Sequence, residues 1–149
     1  MGDFDSFLVD HAACERKASA NGLSFVVRYP DRKELIAPMI EFAQEELEHF
    51  KMVHAWVERR GLTLTADEKD PYMGGLIKGA RTGREERLLD RLIVGGVAEA
   101  RGCERFLLLA EALPEGELKE FYAEIYRAEA RHAGFFLRMA RLYFSEAEI

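Results

Sequence analysis

Cysteine is nearly absent from this sequence: Cys14 and Cys103 stand alone in 149 residues, with no Cys-x-x-Cys. Two thiols cannot build a rubredoxin-like iron site, which needs four thiolates. The simplest reading is a reduced, cytoplasmic protein whose two cysteines are small buried core residues. Long apolar runs are also missing. No stretch approaches the roughly 18 residues that a membrane span needs, so no membrane partner is expected. The opening residues, MGDFDSF, are acidic and lack the charged-then-apolar layout of a secretory leader. Charge of one sign does not dominate either. The net charge of −6 rules out a globally basic nucleic-acid binder, so any RNA contact must come from a local patch.

Strand signals are scarce as well. Few segments alternate β-branched residues, whereas apolar residues recur at spacings of three and four. A first helix is expected from about Phe4 to Arg28, stopped by Tyr29-Pro30. Asp31 and Glu34 suit a capping box for a second helix, which runs to Arg60 and ends at Gly61. Pro38 should kink or restart it. Residues 61–83 hold six of the chain's glycines and prolines and read as a crossover, with one short helix near Tyr72 to Ala80. Thr82 and Glu85 suit the cap of a third long helix, which runs to about Leu113. Pro114-Glu115-Gly116 is a tight turn, and a fourth helix follows from Glu117 to Tyr143. Ser145 and Glu148 form one more capping box with a single residue after it. A fifth helix begins there and is missing, so the chain reads as shortened at its C-terminus.

Two helical hairpins joined by one long crossover is the connectivity of a ferritin-like four-helix bundle. We therefore expect an all-α fold and a single domain over residues 1–149.

Glu46-Leu-Glu-His49 sets a carboxylate and an imidazole three residues apart, on one helix face. Glu129-Ala-Arg-His132 repeats the pattern. Two Glu-x-x-His helices, with one Glu from each of the other two, make the ligand set of di-iron and di-manganese carboxylate bundles. One such motif on a Glu-rich helix is usually a solvated face; the doubled motif is informative because of its spacing. In an antiparallel hairpin, residues equidistant from the turn sit at the same height. Glu15 and Glu46 are centred on the Pro30-Asp31 turn, and Glu99 and Glu129 on Pro114. The candidate ligands are therefore Glu15, Glu46, His49, Glu99, Glu129 and His132. Glu104 competes with Glu99, but relative to Glu129 it is displaced by about 7.5 Å along the hairpin at roughly 1.5 Å per residue. Glu104 also shares a side with Arg101 and Glu111, which read as solvated. Leu8, His11, Ala12, Ala18, Ser19 and Gly22 share the face of Glu15, a stripe on which an uncompensated carboxylate would be costly. His11 reads as packing or as support for Glu15, and His54 as a partly exposed histidine. Phe42, Phe50, Phe106, Phe121, Phe135 and Phe136 read mostly as core. Oxygen-rich ligation with one histidine per metal suits two iron ions, with manganese as the alternative, better than zinc.

The segments Asp10-His-Ala-Ala-Cys-Glu-Arg-Lys-Ala18, Glu45-Glu-Leu-Glu-His49, Glu99-Ala-Arg-Gly-Cys-Glu-Arg-Phe106 and Glu129-Ala-Arg-His132 resemble the MiaE family of bacterial tRNA hydroxylases, over essentially the whole chain. The resemblance implies a non-haem di-iron monooxygenase of the ferritin-like superfamily that uses O2. Its substrate would be 2-methylthio-N6-isopentenyladenosine at position 37 of tRNA, hydroxylated on the isopentenyl group. It also implies a separate ferredoxin-type reductase as electron donor. A basic patch for RNA is sought in Lys78, Arg81, Arg84, Arg87 and Arg91, with Arg59 and Arg60 as further candidates. Glu85, Glu86 and Asp90 would pair with them if the surface were simply solvated. Two other functions compete: a ferritin- or rubrerythrin-like ferroxidase or storage bundle, and a metal-free interaction bundle.

Overall fold

The computed structural model describes residues 2–66 and 71–149, all of the regular structure among them being helical. Residues 67–70 of the expected crossover lie outside the described residues. The chain divides into two compact units, Met1–Glu68 and Lys69–Ile149.

The first unit is one helical hairpin. α1 (Gly2–Arg28) packs along α2 (Lys33–Arg59). Pro30 cannot continue α1 and disfavours helical geometry at Tyr29. The turn closes through the Arg32 amide, which donates to the Tyr29 carbonyl at 3.1 Å. Leu8, Ala12 and Phe25 on α1 and Leu35, Met39, Phe42, Val53 and Val57 on α2 form the buried apolar stripes. At Gly22 the two helices come close. A methyl group there would lie 3.0 Å from the Phe42 ring and 3.4 Å from Ala43. One turn earlier Ser19 Oγ donates to the Ala43 carbonyl at 2.7 Å.

Two expectations for α2 need correction. Arg32, not Asp31, is its N-cap, and the Arg32 side chain makes no capping hydrogen bond; the Asp31 carbonyl accepts from the Lys33 amide. Of the two expected effects of Pro38, a restart does not occur: the helix continues through it. Pro38 is five residues past the start, so only one backbone donor is forgone while the flanking stripe Leu35, Met39 and Phe42 stays buried. The far end follows expectation. Gly61 has φ 71°, and the Leu62 amide returns to the Val57 carbonyl at 2.9 Å, a left-handed glycine termination.

The second unit contains α3 (Pro71–Lys78), α4 (Arg84–Ala112), α5 (Glu117–His132) and α6 (Phe135–Arg141). α4 packs against α3, α5 and α6. Its core is Leu88, Leu89, Leu92 and Phe106 from α4, Phe121, Tyr122 and Ile125 from α5, and Phe136, Met139 and Ala140 from α6. α3 buries none of its residues.

Here too the sequence reading is corrected in places. Gly83, not Thr82, is the N-cap of α4, without a side-chain cap. The expected helix from Glu117 to Tyr143 is two helices. Gly134 takes φ 81°, a left-handed conformation open to glycine, and ends α5 just after His132. The chain restarts as α6 and brings Phe136 onto α4. A methyl group at Gly95 would stand 2.6 Å from the Phe136 ring, so that ring occupies the space a side chain would fill. The last capping box does form. The Ser145 amide donates to Glu148 Oε1 at 2.9 Å, and the Glu148 amide donates to Ser145 Oγ at 3.3 Å.

Candidate metal centre

Helical periodicity delivers the polar residues of the first unit to its buried stripe. Leu8, His11, Ala12, Glu15 and Ser19 lie on one face, each three or four residues from another of the set, and all are buried. On α2 the stripe is Met39, Phe42, Glu46, His49 and Val53. Glu15 retains 3% exposure, Glu46 1% and His49 8%. Their donor atoms gather: each of the three offers a ligand atom within 4.8 Å of the others. His49 Nδ1 stands 3.7 Å from Glu46 Oε2 and 3.8 Å from Glu15 Oε2. On the other side of the Glu15 carboxylate, His11 Nε2 approaches Oε1 to 2.8 Å.

The second unit gathers the corresponding set. Glu99 comes from the middle of α4, Glu129 and His132 from the last turn of α5. These three also offer ligand atoms within 4.8 Å of one another. His132 Nδ1 lies 3.9 Å from Glu99 Oε2, both side chains being 10% exposed. Glu104 is exposed.

Two buried carboxylates and an imidazole this close would be costly without a cation among them. The spacing fits one. Separations of 3.7 to 3.9 Å are too long for hydrogen bonds. Two donors on one ion with bonds of about 2.1 Å, however, can stand up to about 4.2 Å apart. The donors are oxygen-rich with one nitrogen in each cluster, which suits iron or manganese. Each unit thus carries a carboxylate–histidine cluster of a kind that could hold a metal ion.

Both cysteines depart from the expected core. Cys14 is exposed and Cys103 half-buried. Cys14 directly precedes Glu15, about 100° round the helix, and so leaves the buried stripe; its Sγ lies 3.9 Å from Asp10 Oδ2. Cys103 is one turn after Glu99. Burial pushes its thiol above the usual range, and the negative charge of Glu129 pushes the same way. His54 behaves as a surface histidine, 3.2 Å from Glu58 Oε1.

The basic residues near the start of α4 form a mixed-sign surface. Arg81 forks onto Asp90, its Nε donating to Oδ2 at 3.0 Å and its Nη2 to Oδ1 at 2.8 Å. Arg84 lies 3.9 Å from Glu85. Lys78 is exposed, while Arg87 and Arg91 are half-buried. In the first unit, Arg60 Nε donates to Asp5 Oδ1 at 2.8 Å, and Arg59 lies over the Trp56 ring. Sequence reasoning missed a further pair, half-exposed Tyr72 with the Arg101 guanidinium 4.8 Å from its ring centroid. No local pattern links residues so far apart in the chain.

Among the described residues, helices alone, with carboxylate–histidine clusters on their buried faces, define a protein of the ferritin-like class with a candidate metal site. A solved structure described as "Protein 43 with aldehyde deformylating oxygenase activity from Synechococcus" matches the fold with a TM-score of 0.88 at 36% identity, over 94% of this chain and 70% of that one. Within that class the family is specific. The model of the family described as tRNA-(MS[2]IO[6]A)-hydroxylase (MiaE) matches residues 1–149, and the chain belongs to that family. The tRNA 2-(methylsulfanyl)-N(6)-isopentenyladenosine(37) hydroxylase of Pseudomonas putida (strain KT2440) is 38% identical over 149 residues, covering 100% of this chain and 72% of that protein. The Salmonella typhimurium protein of the same name is 38% identical over 112 residues, covering 75% of this chain and 41% of its own length.

Proposed function

We infer that this protein is an O2-dependent di-iron monooxygenase that hydroxylates the isopentenyl group of 2-methylthio-N6-isopentenyladenosine at position 37 of tRNA. The observation that carries this reading is the pair of buried Glu/Glu/His clusters in a chain of the tRNA hydroxylase family. Family membership and the hydroxylase relatives favour it over a storage or ferroxidase bundle.

In this reading Glu15, Glu46, His49, Glu99, Glu129 and His132 hold two iron ions within one domain over residues 1–149. When bound, iron supplies the redox chemistry by which one oxygen atom of O2 enters a C–H bond and the other leaves as water. Two electrons, supplied by a ferredoxin-type reductase, and two protons, supplied by solvent, are consumed. The protein's own residues do the rest. The carboxylates offset the cationic charge, the histidines complete the donor sets, and the apolar stripes around them limit access of water. Lys78, Arg81, Arg84, Arg87 and Arg91 are proposed to contact the tRNA phosphates, with Arg81 contributing least because Asp90 already holds it. A tRNA substrate implies a cytoplasmic protein. No described helix is long and apolar enough to cross a membrane.

The test is nucleoside analysis of tRNA from cells with and without the protein. The hydroxylated isopentenyl nucleoside is expected only when the protein is present, and is lost with Glu46→Ala or His132→Ala. Identical nucleosides in both strains would overturn the substrate assignment.

A further inference from the structure

The two clusters are alike in donor set but differ in the residue one turn before the first glutamate. In the first unit, the residue one turn before the α1 glutamate is His11, which is 1% exposed. Its Nε2 lies 2.8 Å from Glu15 Oε1. An ionised carboxylate can only accept, so Nε2 must carry the proton and donate it. That bond is made at Oε1. The other oxygen, Oε2, is the one turned toward His49 Nδ1 at 3.8 Å. In the second unit, the residue one turn before the α4 glutamate is Gly95, which has no side chain to donate, and the Phe136 ring fills the space beside it. The helical offset is the same, but one glutamate has an imidazole donor there and the other an apolar wall.

We propose that His11 is a positioning residue for the metal centre, holding Glu15 as a one-oxygen ligand through Oε2. This rests on the two-metal reading above. The physical basis is general. A donor on the outer oxygen of a ligating carboxylate fixes its orientation before metal arrives, so less freedom is lost on binding. With Oε1 accepting from His11, a metal that drew on both oxygens would have to share Oε1 with that hydrogen bond, so ligation through Oε2 alone is favoured. A glycine stands at the matching position before Glu99, so the histidine restraint is particular to Glu15. The buried imidazole also has a second neighbour, the Phe7 ring with its centroid 6.1 Å away, which limits the positions it can take.

Co(II) titration of the metal-free full chain, read by visible absorption and calorimetry, tests the idea. Wild type is expected to take two equivalents in two steps. His11→Ala should weaken one step by about 10- to 100-fold and leave the other within a few-fold. His11→Gln, whose side-chain amide can reach the same carboxylate, should restore most of the loss. Infrared difference spectra should show a one-oxygen carboxylate signature in wild type and His11→Gln that is reduced in His11→Ala. Circular dichroism and thermal midpoints check that each variant folds. Two wild-type steps that are unchanged in His11→Ala would overturn the positioning role and leave the two-metal reading standing. Fewer than two equivalents in wild type would overturn both. Equal weakening of both steps, without rescue by Gln, would make His11 a packing residue only.

Discussion

At the scale of single residues, the first unit balances two polar demands on one buried stripe. Glu15 and Glu46 lie inside with almost no water contact, and a buried carboxylate is tolerated only when its charge is met. The folded chain should therefore be stabilised by metal. Adding Fe(II) or Mn(II) anaerobically to about 100 times its dissociation constant should raise unfolding free energy by about 2.7 kcal/mol per site. Chemical denaturation with and without chelator measures it, and equal midpoints would argue against metal at these clusters. A second residue-scale prediction concerns Asp90. The hydrogen bonds from Arg81 hold its carboxyl below the usual range. A depressed carboxylate adds stability above its unfolded pKa, about 3.9, and loses it as pH falls through the lower folded value. Asp90→Asn should thus lower the thermal midpoint slightly at neutral pH. The gap to wild type should close on acidification below about pH 4. The effect will be small because the pair is at the surface.

At the scale of elements, the division between α5 and α6 matters most. His132 is the last residue of α5, and Gly134 turns the chain immediately afterwards. Gly134→Ala should cost about 1–2 kcal/mol, the penalty of a left-handed conformation on a residue with a Cβ. Gly95→Ala should be worse tolerated in a different way. The new methyl group would meet the buried Phe136 ring, and overpacking of this kind costs about 1–3 kcal/mol. Urea denaturation checks both. If Phe136→Leu in the Gly95→Ala background recovers stability, the contact between ring and helix is the cause. Full stability of Gly95→Ala alone would refute the close-packing account.

At the scale of the whole molecule, the question is how a chain of net charge −6 engages tRNA. If Lys78 and Arg87 contact phosphates, replacing either by Ala should weaken binding of an anticodon stem-loop. It should also reduce the salt slope by about 0.7 for each single-strand phosphate that is no longer neutralised. Arg81→Ala should change the slope less, since its guanidinium is already forked onto Asp90. Binding measured at several salt concentrations separates these cases. Equal slopes for all variants would move the RNA surface elsewhere, with half-exposed Tyr72 and its Arg101 neighbour the next residues to change.

Much of the protein was legible in its sequence. Apolar residues at spacings of three and four set the helices, because a helix that cannot bury a stripe gains little from forming. Pro30, Gly61 and Pro114 set the turns through backbone geometry that is local to them. Six polar residues were singled out because matched distances from two turns are a property of chain length alone. The structure gathers three of them, Glu15, Glu46 and His49, in one unit and the other three in the second. What the sequence could not decide depends on contacts between distant residues. Asp31 and Thr82 fit a capping motif, yet the N-cap positions fall one residue later, at Arg32 and Gly83. Both cysteines read as core, although Cys14 falls just off the stripe that buries Glu15. The break at Gly134 was hidden within a helical pattern until Phe136 found its place against Gly95. The bond from His11 to Glu15 required both residues to be inside. Periodicity and turns act over a few residues and can be read in order. Which oxygen of a carboxylate is engaged, and which guanidinium is already held, is settled only when the chain has folded back on itself.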